Sequence, residues 1–141
     1  MRATTLICTL AATALLSLPV LADRTPAPAG AEVYIVSPKD GAKVKSPVTV
    51  VFGLKGMGVA PAGIKFDNTG HHHLLIDSEL PADLSQPLPA NEKTVHFGKG
   101  QTETSLTLTP GKHTLQLVLG DSLHVPHDPA VVSKKITITV E

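Results

Sequence analysis

Residues 70–73 read Gly-His-His-His and run directly into Leu-Leu-Ile-Asp, an apolar stretch of the kind that forms a β-strand. Alternate side chains of a strand share a face. His71 and His73 therefore project together, about 6 to 7 Å apart along the backbone, while His72 points the other way, towards the side of Leu74 and Ile76. Neutral imidazole is a favoured ligand of zinc and copper(II), and two rings held in this way can grip one ion with little further organisation. Four more histidines follow, His96, His113, His124 and His127. Together with His71 and His73 they make up the candidate metal ligands. His124 and His127 lie in a proline-flanked loop, and His96 and His113 stand at the starts of strands. Asp77 and Asp121 are candidates to donate oxygen or to orient an imidazole from behind. Met57 could add a soft ligand to copper(I), although a lone methionine is more often packing.

The bland alternative is that these histidines cap sheet edges or pair with carboxylates. His72 in particular reads as a core residue. Two other arrangements that resemble chemistry do not hold together. Gly120-Asp121-Ser122-Leu123, with His124 close behind, matches the short signature of a serine hydrolase class. Here, however, it lies near the end of a short all-β chain, where nucleophile, base and orienting acid would have to come from one overlapping stretch. Gly98-Lys99-Gly100-Gln101 lacks the glycine spacing and following helix of a phosphate loop.

The elements that must position the histidines are short and alternating. Val33 and Ile35 begin a first strand. Val48, Val50, Phe52 and Leu54 give a second, ended by Gly53, Gly56 and Gly58, and residues 71–77 form the third. Residues 80–91 are a proline-rich connection, unsuited to the middle of a sheet. Leu106 and Leu108, then Leu115, Leu117 and Leu119, then Ile136, Ile138 and Val140 each keep a period of two. Six or seven strands of this kind and no convincing helical period predict an all-β chain, a single immunoglobulin-like antiparallel β-sandwich, with a small barrel as the alternative.

Residues 1–22 read as a cleaved signal peptide: a short basic start, an apolar run, and Val20-Leu21-Ala22 at the cut. Residues 23–31 form a flexible lead-in and residues 32–141 the sandwich domain. The expected location is periplasmic or secreted, without membrane insertion after cleavage. The single cysteine, Cys8, falls within the leader, so stability rests on packing, a metal, or both. Twelve Lys and Arg balance twelve Asp and Glu with no basic stripe, which argues against nucleic acid. Few aromatics and no Trp argue against a sugar platform.

The segment 37–44, Ser-Pro-Lys-Asp-Gly-Ala-Lys-Val, followed by Pro47-Val48-Thr49-Val50, resembles the opening of many bacterial immunoglobulin-like domains. The ordered blocks at 70–77, 96–103, 110–117 and 121–127 resemble a bacterial family catalogued as domain of unknown function 4399, over roughly residues 50 to 140. That resemblance implies a small exported domain without an assigned activity, and it transfers no catalytic residues.

Three functions are then in play. The first is an exported histidine-rich sandwich that binds copper or zinc for storage, delivery or sensing. The second is a metal-free module that engages an envelope protein or supports the envelope. The third is a metal-dependent enzyme, for which three converging histidines and an open coordination position would speak.

Overall fold

The computed structural model describes residues 23–141; the signal-peptide reading of residues 1–22 lies outside them. Nine strands follow in order: β1 (Glu32–Ser37), β2 (Lys43–Val44), β3 (Val48–Lys55), β4 (Gly58–Val59), β5 (Thr69–Ile76), β6 (Thr94–His96), β7 (Glu103–Leu106), β8 (Gly111–Gly120) and β9 (Ile136–Val140). They form two sheets. The smaller has the order β1-β3-β7; the larger runs β2-β9-β8-β5-β4, with β6 also pairing β5. The long ladders are antiparallel, and only the two-residue strands β2 and β4 pair in parallel. The chain is thus an all-β sandwich, and no helix occurs among the described residues.

The period of two decides which side chains meet between the sheets. Val33, Val48, Val50 and Phe52 come from the smaller sheet; Leu74, Ile76, Leu115, Leu117, Leu119, Ile138 and Val140 come from the larger. Burying an aliphatic side chain of this size contributes about 1.5–3 kcal/mol, so this layer supplies most of the driving force. A second, smaller cluster lies on the opposite face of the larger sheet. There Leu75 and Val118 are covered by Leu88, with Leu80 and Val132 alongside. The proline-rich connection after β5 is therefore a lid over the outer face of β5 and β8.

One expectation is modified. β3 does not end at Gly53: Tyr34, its direct partner on β1, lays its ring where a Gly53 side chain would stand. The lead-in at 23–31 makes several hydrogen bonds to the loop around Asp128. Ala27 N–H donates to Asp128 O at 3.0 Å and Asp128 N–H to Thr25 O at 2.9 Å. The Arg24 guanidinium bonds the carbonyls of Pro126 and His127.

Candidate metal centre

Register places the histidines. β5 pairs β8 with His71 opposite Gly120, His72 opposite Leu119 and His73 opposite Val118. Because Leu119 faces the main core, so does His72, whose ring lies 5.1 Å from that of Phe52. His71 and His73 face the outer side. β6 runs along the other edge of β5 with His96 directly opposite His73, which brings a third imidazole to the same face.

The fourth comes from the loop after β8. Asp121 N–H donates to Val125 O at 2.9 Å and His124 N–H to Asp121 O at 3.0 Å, which folds the chain back on itself. The Asp121 carboxylate accepts from Leu123 N, Val125 N and the Thr25 hydroxyl at 2.9, 3.0 and 2.6 Å. His124, held in a left-handed conformation (φ 69°), projects back over β5. Its Nδ1 lies 3.0 Å from His71 Nε2.

His71, His73, His96 and His124 each bring a ring nitrogen within 4.8 Å of the others. His71 and His73 are fully buried, and His96 and His124 are half-buried towards solvent. Two glycines make room. A Cβ on Gly120 would stand 2.7 Å from His73 Cε1, and one on Gly98 would collide with the His96 ring.

Three of the four rings are made weaker bases by their surroundings. Burial, reinforced by mutual repulsion with His96 and His124, lowers His71 to a pKa of about 4, against a small opposing pull from Asp121. Burial and the neighbouring rings lower His73 to about 3, and His96 is lowered by burial and His124. Nδ1 of His71 and both nitrogens of His73 are buried without hydrogen-bond partners. Buried polar atoms left bare in this way ordinarily mark a missing partner. Four imidazoles with ring nitrogens within 4.8 Å of one another are a donor set for a divalent transition metal.

Two of the six candidate ligands stand elsewhere. His113 sits opposite Ile138 on the far half of β8. Its Nδ1 donates to Asp77 Oδ2 at 2.7 Å and its Nε2 to Thr109 O at 2.8 Å. His127 is fully buried, with Nε2 donating to Thr69 O at 3.1 Å, in a space that depends on the missing side chain of Gly70. The two candidate carboxylates are likewise spoken for: Asp77 orients His113, and Asp121 shapes the His124 loop rather than joining the cluster. Met57 packs against the main core. The hydrolase-like stretch makes no triad, since the His124 Nδ1 faces His71 and the Asp121 carboxylate is taken up by backbone amides and Thr25. Gly98, Gly120 and Thr25 were not singled out from sequence for this site. Only the first two carry any local sign, as small residues at the end of β8 and two positions past His96.

Sandwich and cluster together define a small β-domain with a surface-reaching four-histidine centre that could hold a metal ion. Residues 50–141 match the family described as "Domain of unknown function (DUF4399)", and the chain belongs to that family. Neither the curated proteins nor the solved structures contain a match. No helix among the described residues is long and apolar enough to cross a membrane.

Proposed function

We propose that this protein is an exported domain that binds one transition-metal ion, copper or zinc, through His71, His73, His96 and His124, and that it stores, delivers or senses that ion. The observation that carries the reading is the convergence of four imidazoles from β5, β6 and the loop after β8 on the outer face of the larger sheet. Four protein donors fill a tetrahedral sphere, and a filled sphere suits holding an ion better than activating a water. The half-buried His96 and His124 leave a route by which an ion enters and leaves. The leader read at residues 1–22 supports a periplasmic or secreted location.

The test is to prepare the untagged protein, load it with copper(II) or zinc, and measure bound metal before and after His71→Ala/His73→Ala. One ion per wild-type chain and none in the variant is the expected result. No binding by wild type, or unchanged stoichiometry in the variant, rejects the reading.

A second reading, a protein-interaction module, draws on the exposed Ile64, Phe66 and Leu123. Their loops are joined where Gly63 N–H donates to Ser122 O at 2.9 Å. Ala60 and Leu88, by contrast, are buried and add nothing to such a surface. Capture of an envelope protein that survives a chelator and is lost in Phe66→Ser would favour this second reading.

A further inference from the structure

The disposition of the four rings deepens the metal reading, on which it rests. Imidazoles bound to one ion at 2.0–2.1 Å have ring centres about 3.2 Å from it; a tetrahedron then separates every pair of centres by about 5.2 Å. A square plane instead gives four separations of about 4.5 Å and two of about 6.4 Å. The observed separations are 4.6 Å for 96–124, 4.8 Å for 71–73, 4.9 Å for 71–96, 5.0 Å for 71–124 and 5.1 Å for 73–96. Only 73–124, at 5.9 Å, is longer. As a set the separations fit the tetrahedron better than the square: 73–124 approaches a long diagonal, but the opposite pair, 71–96, is only 4.9 Å apart where a square would need about 6.4 Å. The backbone imposes this. His71 and His73 are fixed two apart on β5, His96 is fixed by the β5–β6 register, and His124 descends from a separate loop out of the sheet plane.

We infer that the centre is a tetrahedral four-imidazole seat for an exchangeable zinc(II). Zinc has no geometric preference from its d-electrons and accepts a tetrahedron of nitrogens, whereas copper(II) prefers a tetragonal field. Copper(I) is drawn to thiolate and thioether sulfur, and Met57, the candidate soft ligand, packs against the main core instead. Exchangeability follows from what stands behind the ligands. A ligating histidine usually donates its second ring N–H to a carbonyl or carboxylate, and such partners are worth 10–100-fold in affinity. With His124 facing His71 Nε2, the other nitrogen of His71 has no such partner, and His73 has none on either nitrogen.

The test is cobalt(II) substitution of the full protein, followed by titration with zinc and then with a chelating dye. Expected are one cobalt per chain with the intense visible absorption of a tetrahedral complex, stoichiometric displacement by zinc, and transfer of zinc to the dye while the fold persists. His96→Ala, a change near the surface, weakens cobalt binding more than tenfold and shifts the spectrum as water takes the fourth position, whereas His113→Ala retains both affinity and spectrum. One cobalt bound with the weak spectrum of a six-coordinate ion overturns the tetrahedral assignment while leaving metal binding intact. Zinc that leaves only on unfolding overturns its exchangeability. Failure of zinc, cobalt and copper alike to bind overturns the metal reading itself.

Discussion

His73 and His96 face each other as a direct antiparallel pair across β5 and β6, with ring centres 5.1 Å apart and ring planes 30° from parallel. β6 is only three residues long. This short strand nevertheless converts a two-histidine strand into a three-histidine face, because pairing fixes which side of the sheet each residue occupies. Replacing His96 by alanine is expected to lower metal affinity by more than tenfold with little change in folding stability. His113→Ala, tied to Asp77 at a distance from the cluster, should leave affinity unchanged. Isothermal titration of both variants checks this, and equal losses would point to nonspecific binding by histidine-rich surface.

The glycine opposite His71 offers a way to disturb the centre without removing a ligand. Gly120→Ala places a methyl group 2.7 Å from His73 Cε1 and 3.3 Å from the His124 carbonyl carbon. The ring must turn away, at an overpacking cost of about 1–3 kcal/mol. Metal affinity should fall at least tenfold while the far-ultraviolet spectrum stays that of the wild type. An alanine that binds metal normally would mean that the ring position is softer than its burial suggests.

The loop that carries His124 is held from outside the family-matched region. The Thr25 hydroxyl donates to Asp121 Oδ2 at 2.6 Å, and together with the backbone amides of Leu123 and Val125 it outweighs burial and keeps the Asp121 carboxyl below the usual range. Thr25→Val is expected to weaken metal binding several-fold, and Thr25→Ser to restore it. Loss with both, or with neither, would remove Thr25 from any positioning role.

The ring nitrogens of His72, a core residue, make no hydrogen bond of ordinary geometry, and burial lowers it to a pKa of about 4 against a small opposing pull from the Gln101 backbone. An unsatisfied buried polar group costs about 1–3 kcal/mol. His72→Leu should therefore raise stability by about 1 kcal/mol or more at pH 7 and leave metal stoichiometry at one. It should also reduce acid sensitivity. A base held below its free pKa of 6.5 binds fewer protons folded than unfolded, so it destabilises the fold as pH drops from 6.5 towards its folded value. Urea unfolding at several pH values reads both effects.

His113 has the opposite sign. Both ring nitrogens donate hydrogen bonds, which requires the charged form. The Asp77 carboxylate, then the Thr109 carbonyl, raise its pKa against burial. Its contribution is complete below the free value of 6.5 and is lost as pH rises through the raised folded value. Asp77, lowered by His113 and the Thr114 amide despite burial, contributes above 3.8 and loses that contribution as pH falls through its depressed value. His113→Ala should thus destabilise most between about pH 4 and 6.5 and converge on wild type in alkali, as denaturant titrations across pH would show.

The parts legible in sequence are those that the strand period controls. Alternation put His71 and His73 on one face, His72 with Leu74 and Ile76 on the other, and the Leu115 strand in the core. What alternation cannot convey is register between distant strands. His113 lies seven residues along β8 from Gly120, about 24 Å at strand rise, so no rearrangement of side chains brings it to the cluster. His127 is turned inward by the reversal at 121–126, which a one-dimensional pattern does not reveal. β2, β4 and β6 have two or three residues each, too few to display a period. The role of Thr25 is invisible for a related reason: its partner is 96 positions away.

β5 turns imidazoles outward at 71 and 73 and aliphatic carbon inward at 74 and 76. The histidine cluster and the main core thus occupy opposite sides of one ribbon. Such a domain could lose those histidines by drift over generations and still keep its shape. An inert descendant would persist as a plain structural brick, betrayed only by the glycines that once cleared space for rings no longer there.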